Sequence, residues 1–319
     1  MLISRFFFGM FSLGLMFLGT GMVSAQDFPN KPLRVVTSLA GDSNDLLARI
    51  IAQGISVPLG QPVIVDNRGG TGSVETVAKA PPDGYTLVLY GSAIWLAPFL
   101  RSNVQWDVTR DFSPVTLAES SPNALVVHPS VAAKSVKELI ALAKARPGEL
   151  NYSSGPAGGT SHLTGELFKS LAGVNIVRIP YKSGGTALNG LLGGEVQLTF
   201  AGAGTLNPHI KSGKLRAVAV TSAEPSALFP GVPTVAATVP GYEAASLTVI
   251  LAPAKTPVAV INRLNREIVK VLLRADVKER LFSAGEQVVG SSPRELTATI
   301  NAEIARWSKL IKDTGIKAN

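Results

Sequence analysis

Short apolar runs alternate with segments of helical periodicity along nearly the whole chain. Continuous apolar runs of this length are typical of strands covered on both faces. Strands that alternate with helices at this spacing form parallel sheets flanked by helices. The sequence therefore predicts an α/β fold, with strands at Leu33–Ser38, Val63–Asp66, Thr86–Tyr90, Ala124–His128, Asn151–Ser153, Ile176–Ile179, Val196–Phe200, Leu215–Val220 and Leu247–Ala252.

Three helix starts are marked by capping sequences. Ser135-Val136-Lys137-Glu138 has the form of a capping box, and its helix should stop at Pro147-Gly148. Ser292-Pro293-Arg294-Glu295 is a second capping box, with proline at the first helical position. Thr256-Pro257 is expected to start a third helix in the same way.

The first 25 residues differ from the rest of the chain. Arg5 precedes a 13-residue apolar run from Phe6 to Leu18, and Val23-Ser24-Ala25 supplies the small residues of a signal-peptidase site. A membrane anchor would need about 20 apolar residues. We therefore expect residues 1–25 to be an export signal that is cleaved after Ala25, which leaves a soluble protein outside the cytoplasm.

The length of 319 residues favours two domains, because single cores stop growing at about 250 to 300 residues. Glu224 to Gly241 is rich in proline and glycine and is interpreted as a loop that leads into a crossing between domains. A second crossing is expected near Ser120 to Asn123. Residues 26–123 plus 246–319 would then form lobe 1, and residues 124–245 would form lobe 2.

Sequence motifs for catalysis, metals and cofactors are missing. The chain has no cysteine, and its three histidines belong to no metal-ligand pattern, although His162 and Glu166 could meet on one helix face. It also has no G-x-S-x-G elbow, dinucleotide fingerprint or P-loop. No catalytic residue, metal or cofactor is assigned. A hydrolase or isomerase would have to use Asp42, Asp45 or His162.

The formal charge of +8 raises the question of a nucleic-acid partner. The basic residues are scattered, with no run of five or more, whereas a phosphate-tracking surface needs clustered Lys and Arg. We therefore expect no nucleic-acid partner. The positive charge still favours the approach of small anions.

Several polar loops that contain glycine stand between strand ends and helix starts. Ligands of parallel α/β sheets bind at such places, where free N–H groups and the helix dipole suit a carboxylate or phosphate. Glycine lets the backbone approach the ligand, and Ser or Thr hydroxyls add donors. The loops are residues 37–45, 153–160, 181–186 and 201–205.

A set of short segments, in order along the chain, resembles the exported solute receptors of tripartite tricarboxylate transporters, often called Bug receptors. The segments include Gly60-Gln61-Pro62-Val63, Asp66-Asn67-Arg68, Ala80-Pro81-Pro82-Asp83-Gly84-Tyr85, Ser161-His162-Leu163, Pro180-Tyr181-Lys182, Leu191-Leu192-Gly193-Gly194-Glu195-Val196, Gly213-Lys214-Leu215-Arg216, Gly231-Val232-Pro233-Thr234 and Pro240-Gly241-Tyr242-Glu243.

The resemblance implies a two-lobed periplasmic binding protein fold, type II-like, with a mostly parallel sheet in each lobe and a ligand cleft between the lobes. It implies a periplasmic receptor that binds a small carboxylate and delivers it to membrane transporter subunits, without catalysis. The sequence says nothing of the oligomeric state, and a monomer is the default expectation. A sensor that reports to a signalling partner is the alternative role. The expected ligand-binding residues are Ser38, Leu39, Ala40, Gly41, Asp42, Ser43, Asn44, Asp45, Ser92, Ser154, Gly158, Gly159, Thr160, His162, Tyr181 and Ala201. Thr160 or Ser161 is expected to cap its helix.

The chain departs from the family pattern in its first loop. Family members commonly have Pro-Phe-x-Pro-Gly-Gly-x-x-Asp, whereas this chain has Thr37-Ser38-Leu39-Ala40-Gly41-Asp42-Ser43-Asn44-Asp45. Asp42 places a negative charge beside the expected anion site, and a buried, unpaired like charge disfavours a carboxylate ligand. Ala201 also stands where an aspartate is common, so the charge of the solute stays open.

Overall fold

The computed structural model describes residues 28–69 and 71–318, so the predicted signal segment and its cleavage site lie outside the described residues. All nine predicted strands overlap a strand of the structure. The strands are β1 Leu33–Thr37, β2 Val63–Asn67, β3 Thr86–Gly91, β4 Phe112–Val127, β5 Asn151–Ser154, β6 Val177–Pro180, β7 Leu198–Gly202, β8 Arg216–Val220, β9 Ala245–Pro253 and β10 Gln287–Val288.

Helices connect most of these strands and cover the sheet. They are α1 Ser43–Leu59, α2 Gly72–Ala78, α3 Ala93–Leu100, α4 Val108–Asp111, α5 Val136–Ala145, α6 Thr160–Ala172, α7 Gly184–Leu192, α8 Ala203–Lys211, α9 Val258–Leu272, α10 Ala275–Ser283 and α11 Pro293–Thr314.

The strands form two sheets joined through β4. In the first sheet β1 pairs in parallel with β2 and β3, and in the second β5 pairs in parallel with β6 and β7. The central strands β4 and β9 run antiparallel to their neighbours, because β4 leaves the first sheet and β9 returns to it. The predicted fold class is confirmed, and the parallel pairing it described is found in the outer strands of each sheet.

Strand β4 passes from one sheet to the other between two consecutive residues. Up to Pro122 it pairs with β9, and from Asn123 onward it pairs with β7. From the sequence, only the part of β4 that starts at Ala124 was predicted. The earlier part contains Pro114 and Pro122, which donate no ladder hydrogen bond, and its register shifts twice against β9. Because these features interrupt the regular alternation of residues, the first part of the strand was not predicted.

The predicted helix starts are partly correct. Ser292 forms the capping box with Glu295, with Pro293 at the first helical position. Ser135 accepts from Glu138 N, but Glu138 Oε2 accepts from Lys134 N instead of closing the box. A helix, α9, does start directly after Thr256-Pro257, but Pro257 is the N-cap instead of the first helical residue, and the Thr256 hydroxyl donates to Pro253 O.

Three apolar clusters fill the part of the chain that the structure describes. One packs α1, α9 and α10 on the first sheet around residues such as Leu264, and another packs α7 and α8 on the second sheet around Leu191. The largest cluster spans both sheets and includes Trp95 of α3, Phe168 of α6 and Trp307 of α11. Helix α11 contacts both α3 and α6. The C-terminal helix therefore supports both sheets on one side.

We expect Gly165→Ala to destabilise the fold. A Cβ at Gly165 would lie 2.4 Å from Tyr152 Cε2, where α6 crosses β5. Overpacking of this kind costs about 1 to 3 kcal/mol, which urea unfolding measures. Ser170→Ala, at an exposed position of the same helix, is the control and should change the free energy of unfolding by less than about 0.5 kcal/mol. Equal stability of the two variants would contradict the close contact.

Candidate functional site

A cleft of about 590 Å³ lies between the two sheets. Its walls come from strand ends and helix starts on both sides, and most of the lining residues are small and polar. The first-sheet side contributes Ser43, Asn44, Gly91, Ser121, Ser246, Thr248 and Glu286; the second-sheet side contributes Asn123, Gly155, Pro156, Gly159, Thr160, Ser161, Gly184, Gly185, Ala187, Leu188, Thr199, Phe200, Ala201, Gly202 and Thr205.

Two helix N-termini on the second-sheet side meet the cleft without side-chain caps. Helix α6 has Gly159 as its N-cap, and α8 has Gly202. The prediction that Thr160 or Ser161 caps α6 was wrong, because Ser161 Oγ instead accepts from Gly155 N at 3.1 Å. The first amides of a helix have no partner within the helix, and the dipole is positive there. Both ends can therefore receive an anion.

Arg178 adds a positive charge behind this wall. Its Nε donates to Ser154 Oγ at 2.7 Å, and its terminal nitrogen donates to Gly155 O at 3.0 Å. Within residues 28–69 and 71–318, no carboxylate lies within ion-pair distance of this guanidinium. The charge of Arg178 therefore acts on the loop that borders the cleft.

The acidic residues of the first loop are occupied by the protein itself. Asp42 is the N-cap of α1 and accepts from Asp45 N at 2.9 Å. The buried Asp45 carboxylate accepts from Arg49 Nε at 3.1 Å, Gly41 N at 2.9 Å and Asn67 Nδ2 at 2.9 Å. The hydrogen bond from Arg49 is the main reason that the pKa of Asp45 falls to about 2. Asp45 is thus an ionised carboxylate that holds the loop together.

The structure brings some of the predicted site residues together at the cleft. Ser43, Asn44, Gly159, Thr160 and Ala201 line it. An adjoining cavity of about 450 Å³ shares Gly159 and Thr160 with the cleft and is also lined by Ser92 and Gly158. Gly158 has φ +75°, and a Cβ there would lie 3.0 Å from Leu100 and from Ala318, so this turn packs closely against first-sheet residues.

The other predicted residues have different contacts. Ser154 bonds to Arg178, His162 Nδ1 accepts from Gly158 N at 3.0 Å, and the Tyr181 hydroxyl donates to Glu195 at 2.9 Å. The rest belong to the first loop but are not among the residues that line the described cleft: Ser38, Leu39, Ala40, Gly41, Asp42 and Asp45. Leu39 is 64% exposed.

Several cleft residues were missed by the sequence analysis. Ser121 and Asn123 lie on the part of β4 that was hidden by its prolines. Ser246 and Thr248 flank the buried Leu247 on β9. The alternation of polar and apolar residues along this strand was the signal that could have identified them. Glu286 stands after α10 in a segment without a recognisable motif.

Three buried polar atoms at or beside the cleft have no partner within the described part of the protein. They are Glu119 Oε2, Asn123 Nδ2 and Ser153 Oγ. Asn123 lines the cleft, Ser153 is in register with Thr199, and Glu119 is in register with Thr248. Buried polar atoms in folded proteins are nearly always hydrogen-bonded. Of the three residues, Asn123 is the one that lines the described cleft, so a polar solute there could supply a partner for its Nδ2.

The described residues offer little for catalysis. They contain no group of three His, Cys, Asp or Glu side chains placed to hold a metal ion. The residues considered for a hydrolase or isomerase serve other roles, because Asp42 caps a helix, Asp45 is ion-paired and His162 accepts a backbone hydrogen bond. In the same part of the chain, no helix combines the length and apolar character required to cross a bilayer.

Two sheets that share the strand β4, with a polar cleft between them, are typical of the fold of periplasmic solute-binding proteins. The chain belongs to the family described as tripartite tricarboxylate transporter family receptor, whose sequence pattern matches residues 47–316. It is 37% identical over 302 residues to Protein BugT of Bordetella pertussis, which covers 92% of this chain and 93% of BugT. These findings confirm the family resemblance.

Solved structures agree with this assignment. The structure described as R. palustris Rpa4515 with adipate has 36% sequence identity and a TM-score of 0.73, over 91% of this chain and 99% of that one. MatC from Rhodopseudomonas palustris with bound malate has 28% identity and a TM-score of 0.69, over 89% and 100% of the two chains. A TctC solute binding protein from Polaromonas has 23% identity and a TM-score of 0.83 over 90% and 99%, which shows the shared fold.

We expect the stability of the protein to fall between about pH 6.5 and pH 4 because of His162. Burial is the main reason that its pKa drops from 6.5 to about 4, and the charge of Arg178 acts in the same direction. The unfolded chain therefore binds the proton more readily than the folded chain. The contribution of the neutral His162 to the free energy of unfolding is fully present above pH 6.5 and is lost as the pH falls towards 4. Urea unfolding at several pH values measures this loss.

The variant His162→Asn separates this effect from other titrations. Its side-chain oxygen can still accept from Gly158 N, but it does not titrate. We expect the variant to be less stable at pH 7, because packing is lost, and to lose less stability than the wild type on acidification. An unchanged dependence on pH would show that another group is responsible.

Proposed function

We propose that this protein is an exported solute receptor that closes around a small organic carboxylate and delivers it to a membrane transporter of the tripartite tricarboxylate type. The main support is the convergence of two uncapped helix N-termini, α6 and α8, on one cleft. Arg178 reinforces the positive potential on that side. The family membership and the adipate and malate of the related structures agree with this chemistry.

In this proposal the two lobes are residues 26–123 plus 246–319 and residues 124–245, and residues 1–25 are removed on export to the periplasm. The two segments between the lobes are the β4 switch at Pro122 and the chain that enters β9 at Ala245. Few residues bend in such a hinge, and the ligand favours closure through its contacts with both lobes. The receptor acts as a monomer.

The carboxylate lies against the start of α6 in this proposal. Thr160 presents its backbone amide there, whereas Gly159 N already donates to Pro156 O. Ser43 and Asn44 line the cleft from the start of α1. Ala201 borders the same space, while Ser92 and Gly158 shape the adjoining cavity. The loop of Ser38 to Asp45 contributes mainly through Ser43 and Asn44, with its remaining residues acting as support.

We expect Arg178→Met to weaken carboxylate binding about tenfold, which corresponds to about 1.4 kcal/mol. The change removes a partly buried positive charge from behind the anion site, where the charge is screened less than at the surface. Isothermal titration calorimetry with mono-, di- and aminocarboxylates measures the effect on whichever of them bind.

Arg216→Met is a matched control for this experiment. Arg216 is likewise partly buried and donates to two backbone carbonyls, Val131 O and Ala133 O. Neither acceptor belongs to a residue that lines the cleft, whereas Arg178 donates to Gly155, which does. Its replacement should leave carboxylate affinity unchanged. Equal effects of the two substitutions would contradict the role of Arg178, and a wild-type protein that binds none of these carboxylates would contradict the proposed function.

We also expect Gly204→Ala to weaken binding by opposing closure. Gly204 of α8 meets the segment after α10 by direct backbone contact, and an added Cβ would lie 2.7 Å from Ala284 O. A backbone oxygen cannot move aside cheaply, so α8 and the first-sheet segment would have to separate. Small-angle scattering should show a more open average shape in the presence of a bound carboxylate, and calorimetry should show reduced affinity.

Gly193→Ala serves as the control for Gly204→Ala. Gly193 is the C-cap of α7, and an added Cβ would make an ordinary contact of 3.4 Å with Asn189 O within the same part of the chain. This variant should scatter and bind like the wild type. A Gly204→Ala protein that binds and closes normally would contradict the idea that this contact belongs to the closed form.

A further inference from the structure

One carboxyl group lines the cleft and a second is buried beside it. Glu286 lines the cleft from the segment after α10. Glu119 lies on β4 two residues before Ser121 and directly opposite Thr248, and both of those residues line the cleft. Successive residues of a strand point to opposite faces, so Glu119 shares a face with Ser121. The side chain of Glu119 is only 1% exposed.

The protein supplies no cation for this pair. The residues that line the described cleft include no Lys or Arg. The ion pairs of the described residues involve neither Glu119 nor Glu286, and Glu119 Oε2 has no hydrogen-bond partner. Burial raises the pKa of both carboxyl groups, to about 8 for Glu119, where the nearby Glu286 adds to the effect. The site thus favours a positive charge over a second negative one.

A separate polar group points to a ligand that also has an acceptor. Asn123 lies on β4 four residues after Glu119, is 6% exposed and lines the cleft, yet its amide nitrogen has no partner in the described part of the chain. An amide nitrogen donates, so it suits a carboxylate oxygen. The uncapped start of α6 lies on the same, second-sheet side, whereas the start of α8 touches the segment that directly precedes Glu286. The cleft therefore offers donors that suit a carboxylate as well as a carboxyl group, Glu286, that suits a cation.

We infer that the solute is an amino carboxylate, with its carboxylate at the second-sheet side and its ammonium group at Glu286 and Glu119. This inference rests on the proposed function and specifies the class of solute. Glu286 is the residue that touches the ammonium group, and the buried Glu119 accepts a further hydrogen bond from it or orients Glu286. A dicarboxylate of the same length would place a second negative charge beside two carboxyl groups.

Calorimetry with ligands matched in length tests this inference. The probes are 5-aminopentanoate, glutarate and pentanoate, together with the shorter pair 4-aminobutanoate and succinate and the α-amino acids alanine and glutamine. We expect at least one amino carboxylate to bind ten times more tightly than every plain carboxylate in the set. Glu286→Gln should weaken binding of that amino carboxylate at least tenfold and should leave glutarate and succinate unchanged or tighter.

Two further variants make the result specific. Glu279→Gln removes one negative charge from an exposed position of α10 and should not alter the preference. Glu119→Gln should also reduce the preference for amino carboxylates over plain carboxylates. This second variant allows the inference to be tested if Glu286→Gln folds poorly. Circular dichroism and thermal unfolding establish that each variant is folded.

The outcomes separate the two proposals. If succinate, glutarate or pentanoate binds as tightly as the amino carboxylates, the inference about the ammonium group is overturned while the receptor function stands. An unchanged preference in both Glu286→Gln and Glu119→Gln overturns it as well. If no carboxylate of either class binds, both the inference and the proposed function fail.

Discussion

The hydrogen bonding of β4 is the constraint on which the rest of the structure depends. One strand of 16 residues serves two sheets, with β9 as its partner up to Pro122 and β7 from Asn123 onward. Because proline donates no ladder hydrogen bond, the exchange falls where pairing is already weakest. The strand ends and helix starts of both sheets are thereby turned towards a common space, and the cleft is a consequence of this exchange.

The electrostatics of the cleft follow from how its helices begin. Side chains cap α1 and α7, through Asp42 and Ser183, so the first amides of these helices are partly satisfied. The starts of α6 and α8 lack such caps and leave amides directed at the cleft. An anion is therefore favoured at the second-sheet side by backbone groups that no side-chain motif in the sequence would reveal.

The sequence predicted the fold well because apolar runs and capping residues act locally. All nine expected strands exist, and the Ser292 capping box is present as expected. The site was harder to predict. Asp42 was expected to oppose an anion, but it caps α1. Glu286, which lines the cleft, and Glu119, which is buried beside it, were not singled out. Their positions depend on the pairing of β4 with β9 and β10, which joins residues far apart in sequence.

One short segment, residues 284–286, bears on both the closure of the cleft and its selectivity for the solute. Gly285 has φ +87°, and a Cβ there would lie 2.4 Å from Gly204 N, so only glycine allows the segment after α10 to touch α8. The next residue is Glu286, which lines the cleft. Movement of α8 towards this segment would therefore cover the solute and enclose Glu286 in the same step. Since an acid enclosed without a cation is costly, a solute that brings a positive charge would stabilise the closed form most.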